Sequence, residues 1–146
     1  MIAYFDTSAF LPLVVDEAGS ARCRRLWDAA DQIVVTRLVH VEVSAALAAA
    51  ERLGRITSSD HDEALFLVAA VWRQCNIREL DAQLMVAAGH LARRFGLRGY
   101  DAVHCAAAAE LSGDEFAAAS GDQALLKAWN ALGLTTMNPN APVDPP

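Results

Sequence analysis

Residues 1–9, Met1-Ile2-Ala3-Tyr4-Phe5-Asp6-Thr7-Ser8-Ala9, decide how the chain is read. An apolar, β-capable run over Met1–Phe5 stops abruptly at an acid and two hydroxyl residues, and small or apolar residues follow. A buried strand passing straight into a helix N-cap has this pattern, because Asp, Ser and Thr side chains accept from the free N–H groups of a first helical turn. The alternation repeats outward. Ser20–Ala30 reads as helix, Ile33–Thr36 as strand, and Val39–Leu53 as a strongly periodic helix stopped by Gly54. Ser58 or Ser59 can cap a helix to about Trp72, and Asn76–Leu80 is a third strand. Asp81 caps a helix ending at Arg93-Arg94-Phe95-Gly96, where basic residues suit the negative end of the helix dipole. A further helix runs from Gly99 to about Leu111. Glu115–Ala119 is a weak strand, Gly121-Asp122 opens a helix to about Leu132, and Leu134–Met137 is a last strand. Short strands alternating with helices imply one α/β domain with a parallel sheet. No repeat, low-complexity tract or linker interrupts it, and the proline-rich stretch Asn138–Pro146 is expected to be loose.

The 146 residues suit one domain, and a hydrophobic content of 54% excludes a disordered chain. Eighteen acids against twelve bases leave a net charge of −6, which excludes a generically basic nucleic-acid coat but not a nuclease with a few well-placed bases. The longest charge-free apolar runs, such as Leu65–Trp72, cover about half of the roughly 18 residues that a membrane-spanning helix needs. The N-terminus lacks a basic segment, and Pro12 breaks the apolar run, so a cleaved leader is not expected. Cys23, Cys75 and Cys105 are far apart and form no CxxC pair, which fits reduced thiols in the cytoplasm and poorly fits a zinc or disulfide framework.

Four acids stand in telling places. Asp6 lies just beyond the first strand, at the carboxyl edge where open parallel sheets bind ligands. Glu42 is placed in the first turn of its helix among Val39, Ala45, Ala46 and Ala49, small neighbours that let other elements approach. Asp101 and Asp122 both follow glycine-containing turns at helix N-termini. Each alone has an ordinary reading: a capping Asp or a surface Glu, as for Asp60 and Asp81. Convergence changes that reading, because several carboxylates at one sheet edge repel unless protonated or neutralised by a cation. An all-oxygen donor set with waters retained suits Mg²⁺ or Mn²⁺.

At these residues the chain resembles the PIN-domain ribonucleases, and among them the VapC-type toxins of bacterial toxin–antitoxin pairs. The motifs are Tyr4-Phe5-Asp6-Thr7-Ser8-Ala9, Val41-Glu42-Val43, Gly99-Tyr100-Asp101-Ala102-Val103-His104 and Ala119-Ser120-Gly121-Asp122-Gln123-Ala124-Leu125-Leu126. Each is short, but all four occur in order across residues 1–139, which the resemblance implies is one PIN domain, with 140–146 as a tail. It implies a five-stranded parallel sheet flanked by helices. It further implies that Asp6, Glu42 and Asp101 are the central metal-binding acids and Asp122 the fourth, with Asp6 and Asp101 the principal ligands. Ser120 matches the hydroxyl residue two before the fourth acid, and Thr7 and Ser8 match a polar pair that orients a carboxylate or water. The activity implied is Mg²⁺-dependent endoribonucleolytic cleavage of structured RNA (transfer or ribosomal), restrained by a cognate VapB-type antitoxin, in a protein that commonly forms homodimers.

Other features are read against that expectation. Arg22, Arg24, Arg25, Arg93, Arg94 and Arg98 can form local phosphate-binding patches, or simply solvated helix faces. Tyr100 can stack on a base or pack on a neighbouring helix. His104, one helical step from Asp101, invites an acid/base role, but the resemblance implies an ordinary packing position there, and His40, His61 and His90 have no zinc spacing. Leu47, Leu65, Phe66, Val68, Val71 and Trp72 offer more apolar surface than one core needs, which suits either core packing or a groove for an antitoxin helix. Two rival readings use the same residues: a PIN nuclease of ordinary RNA processing or of DNA, and a non-catalytic PIN-fold binding module. A phosphoryl-transfer enzyme with Asp6 as nucleophile would want an acid two residues on, where Ser8 stands.

Overall fold

The computed structural model describes residues 1–142. Strand β1 (Ile2–Phe5) passes through helix α1 (Thr7–Phe10), a 3-10 turn (Leu11–Leu13) and α2 (Ser20–Ala29) to β2 (Gln32–Thr36). Helices α3 (Leu38–Arg52) and α4 (Ser58–Trp72) lead to β3 (Asn76–Arg78), and α5 (Ala82–Phe95) and α6 (Gly99–Ala109) lead to β4 (Phe116–Ala119). Helix α7 (Gln123–Ala131) and β5 (Thr136–Met137) complete the domain. The five strands are all parallel in the order β3-β2-β1-β4-β5, with Ala3 opposite Ile33 on one side and Ala117 on the other.

Period-two alternation sends β1 side chains to two cores. Tyr4 joins Val34, Phe116 and Ala118 beneath α5, α6 and α7, centred on Leu84, Leu125 and Trp129. Ala3 and Phe5 join Val35 and Ala119 on the opposite face, against Phe10, Val39, Val43 and Leu47. The chain therefore builds one side of the sheet under α1–α4, crosses over, and builds the other under α5–α7. Right-handed crossovers between parallel strands produce that layering. The single parallel-sheet α/β domain and its five strands are as expected.

Local boundaries differ from the sequence reading where hydroxyls compete for caps. Thr57, not Ser58 or Ser59, caps α4, because its hydroxyl accepts from the Asp60 N–H at 3.0 Å while Asp60 accepts from the Thr57 N–H at 2.9 Å. Asp60 is thus the second half of a capping box. Helix α3 begins at Leu38, which moves Glu42 beyond the first turn. Asp101 is the third residue of α6, not its cap; Arg98 occupies the cap position without a side-chain capping bond. The stretch from Asn138 is not loose as far as Pro142, since Arg22 donates to the carbonyls of Asn138 (3.3 Å) and Pro142 (3.1 Å). The remainder of that expectation falls on 143–146, outside the described residues.

Candidate active site

Strand order reverses at β1, which has β2 on one side and β4 on the other. The chain leaves β1 toward one face of the sheet and β4 toward the other, and the region beyond their carboxyl ends is where a doubly wound sheet binds ligands. Asp6 caps α1 at this point, accepting from the Ala9 N–H at 2.9 Å. The hydroxyls of Ser8 (2.7 Å) and Ser120 (2.5 Å) also donate to its carboxylate. Asp6 is 4% exposed, and burial pushes its carboxyl above the ordinary value against the opposing pull of His104, Ser120, Ser8 and Ala9. Ser120 Oγ in turn accepts from the Asp122 N–H at 2.9 Å, while Ser8 Oγ accepts from the Gly121 N–H at 2.7 Å. These bonds lock the β1 and β4 loops together. A Cβ on Gly121 would meet the Asn140 side-chain nitrogen at 2.8 Å, so the loop is also closely covered by the C-terminal segment.

Glu42 is brought in from α3. Its Oε1 accepts from Thr7 Oγ1 at 2.7 Å and pairs with His104 Nε2 at 2.8 Å. Burial alone would raise this carboxyl; the bonds from His104 and Thr7 together outweigh it and hold Glu42 below its ordinary value. His104 is 2% exposed, and its Nδ1 lies 2.6 Å from the Tyr4 hydroxyl. His104 is indeed buried, but packing is not its whole role: it joins a core tyrosine to a site carboxylate. The available sequence signal was its place three residues after Asp101, which puts both on one face of α6.

Asp101 and Asp122 are joined by Arg98. The Arg98 Nε donates to Asp101 Oδ2 at 3.0 Å, and Nη2 lies 3.7 Å from Asp122 Oδ2. Asp122 also caps α7 through the Leu125 N–H at 2.8 Å. An open pocket of about 520 Å³ is lined by Glu42, Arg98, Gly99, Tyr100 and Asp101, with the Tyr100 ring exposed at its edge. Glu42 and Asp101 thus line the pocket, Arg98 ties Asp101 to Asp122, and Asp6 is linked through Ser120 to the Asp122 backbone, with the next residue, Thr7, bonded to Glu42. The other arginines are not one patch: Arg22 holds the C-terminal segment, Arg24 donates to the Leu13 carbonyl, and Arg94 lies over the Phe95 ring.

The donor chemistry fits a hard divalent cation, since every titratable group at the crevice except His104 and Arg98 is a carboxylate or a hydroxyl. Among the described residues, no internal hydrogen bond reaches Glu42 Oε2 or Asp101 Oδ1, and both residues line the pocket. No three His, Cys, Asp or Glu side chains among the described residues gather into a ready-made cage.

Comparison with known proteins agrees with this architecture. Ribonuclease VapC49 of Mycobacterium tuberculosis is 39% identical over 132 residues, which cover 90% of this chain and 92% of the relative. Among solved structures, FitAcB from Neisseria gonorrhoeae superposes with a TM-score of 0.70 at 13% identity, covering 95% of this chain and 98% of that one. A toxin–antitoxin complex from Klebsiella pneumoniae gives 0.66 at 15% identity over 94% and 97% of the chains. VapC20 of Mycobacterium tuberculosis, a sarcin-ricin loop cleaving toxin, gives 0.64 at 18% identity over 86% and 94%. The model of the PIN domain matches residues 3–128. With that match across most of its length and so similar a ribonuclease relative, the chain belongs to the PIN domain family, on its VapC-type ribonuclease branch.

Proposed function

We propose that this chain is an Mg²⁺-dependent endoribonuclease toxin that cuts a particular phosphodiester bond in structured RNA, transfer or ribosomal, and is restrained by a VapB-type antitoxin. The observation that carries the reading is the bonding of the β1 and β4 loops around the buried Asp6 carboxylate, with Thr7 joining that knot to Glu42 in a pocket that Asp101 also lines and Arg98 tying Asp101 to Asp122. Asp6 and Asp101 are assigned as the residues that hold the ion, directly or through water. Mn²⁺ is the expected substitute. A divalent ion there supplies a bound water of lowered pKa and neutralises charge that grows on the phosphoryl oxygens.

The chain's own residues do the rest. Ser8, Ser120 and the Ala9 N–H fix Asp6 in one rotamer, so its orientation is set before substrate arrives. Thr7 and His104 occupy one oxygen of Glu42, and the other is free to orient a water at the pocket. Asp122 completes the acidic rim. Support for an RNA substrate comes from the ribonuclease relative and from the target of VapC20. Support for an antitoxin comes from the toxin–antitoxin neighbour and from Leu65, Phe66 and Leu67, exposed on α4 beside a groove lined by Val14, Val15, Ile56 and Ala64. Of the apolar set read from sequence, Leu47, Val68 and Val71 are buried and Trp72 packs against the same core, leaving Leu65 and Phe66 exposed. Val41 on α3 and Met85 and Val86 on α5 are exposed apolar side chains suited to a homodimer contact. No helix among the described residues is long and apolar enough to cross a membrane.

The test is incubation of purified, antitoxin-free protein with total cellular RNA, with and without Mg²⁺ or Mn²⁺, beside Asp6→Asn. Discrete fragments that need both metal and Asp6 are expected. Equal cleavage by Asp6→Asn, or cleavage indifferent to chelator, would overturn the reading.

A further inference from the structure

The acidic crevice contains a cation of its own. Among the described residues, Arg98 is the only arginine or lysine paired with any of the four site acids, and it touches two of them. Its guanidinium reaches Asp101 Oδ2 at 3.0 Å from α6 and lies 3.7 Å from Asp122 Oδ2 across the crevice. The contact is not needed to build α6: Arg98 stands at the cap position in extended backbone and makes no side-chain capping bond. Nor is it buried, for the Arg98 side chain is 82% exposed while Asp101 and Asp122 are 16% and 30% exposed. Ion pairs of that exposure are weak and exchange readily. The acids beneath would repel each other without it.

We propose that Arg98 is an exchangeable counter-ion of the site. It neutralises Asp101 and Asp122 until a divalent cation arrives, competes with that cation, and is then free at the pocket rim to grip an RNA phosphate. A guanidinium suits both tasks, since its planar fork matches carboxylate and phosphate oxygens alike. Arg98 thereby engages two of the four acids at once. The inference rests on the metal-dependent nuclease reading above.

The test measures Mn²⁺ binding to the purified full chain by electron paramagnetic resonance of free Mn²⁺, together with steady-state RNA cleavage at saturating Mn²⁺. Arg98→Ala, Arg98→Lys and the control Arg52→Ala are compared with wild type. Arg52 lies ten residues beyond Glu42 on α3, about 15 Å along the helix axis. Arg98→Ala is expected to bind Mn²⁺ about two- to tenfold more tightly. The same variant is expected to lose about ten- to hundredfold in kcat/KM. Arg98→Lys keeps the charge and is expected to bind Mn²⁺ closer to wild type than Arg98→Ala does. Unchanged or weaker Mn²⁺ binding in Arg98→Ala, equal tightening in Arg52→Ala, or unimpaired kcat/KM would overturn the proposal while leaving the nuclease reading intact. A wild-type protein that binds no Mn²⁺ and cleaves no RNA would overturn both.

Discussion

Replacing Tyr4 by Phe removes one oxygen from the centre of the protein and tests whether a core residue sets the geometry of a site carboxylate. The ring stays in place, since its edge-to-face contact with Trp129, at 5.9 Å between centroids, does not involve the hydroxyl. What is lost is the 2.6 Å bond to His104 Nδ1. Glu42 is an anion and can only accept, so His104 Nε2 carries a hydrogen and donates to it, while Nδ1 shares its hydrogen bond with the Tyr4 hydroxyl. Burial keeps the Tyr4 phenol protonated, raising it well above its ordinary value. With His104 only 2% exposed, water cannot easily replace the missing partner. A buried ring nitrogen left without a hydrogen-bond partner costs about 1–3 kcal/mol. In a domain of this size that lowers the melting temperature by about 3–10 °C. Glu42 retains Thr7 at 2.7 Å, so its orientation is weakened rather than abolished. Loss of such an outer partner lowers metal affinity or activity by about tenfold or more. Thermal melting by circular dichroism, Mn²⁺ titration and RNA cleavage are the assays, with Ser112→Ala, an exposed hydroxyl beyond the far end of α6, as control. Melting within about 1 °C of wild type together with unchanged Mn²⁺ affinity and cleavage would refute the coupling of core to site.

Asp6→Asn is expected to abolish metal-dependent cleavage yet leave the metal-free fold at least as stable at pH 7. The folded protein raises the Asp6 carboxyl through burial, so its contribution to stability is present in acid and withdrawn as pH rises through that raised value. A melting temperature well below wild type without metal would contradict this sign. Gly19→Ala places a Cβ 2.8 Å from Pro139 Cβ and 3.2 Å from its carbonyl oxygen, so backbone must move. A loss of about 1–3 kcal/mol in urea unfolding is expected, and none would mean that the segment from Asn138 is not held there. Burial pushes the thiols of Cys23 and Cys105 up to about 11 and that of Cys75 up to about 12. Iodoacetamide at pH 8 is therefore expected to label the native protein on the order of a hundredfold more slowly than the unfolded chain, and rapid native labelling would contradict their burial.

The local grammar of the chain was readable without coordinates. The run from Met1 to Phe5 is strand because it is apolar and meets a capping acid, and Gly96, with φ of 66°, ends α5 where the periodic pattern predicted a stop. Both depend on neighbours a few residues away, where helix periodicity and N–H capping act. The acids Asp6, Glu42, Asp101 and Asp122 were picked out by their places at strand and helix ends, and by the motifs around them. Caps were less legible, because Thr57, Ser58 and Ser59 all carry suitable oxygens and only the reciprocal bond with Asp60 decides among them.

What makes those acids a site was decided by distant pairings. Ser120 reaches Asp6 across 114 residues of sequence because β1 and β4 are neighbours in the sheet, and Tyr4 reaches His104 across 100 because alternation in β1 points it under α6. Arg98 could equally have been a solvated helix-end charge or one of a phosphate-binding patch. Its choice between water and two carboxylates depends on how α6 and α7 are set against each other. Periodicity and capping are short-range and leave their mark in the order of residues. The partner of a buried oxygen or an exposed guanidinium is chosen by the packing of whole elements, which no local stretch of sequence contains.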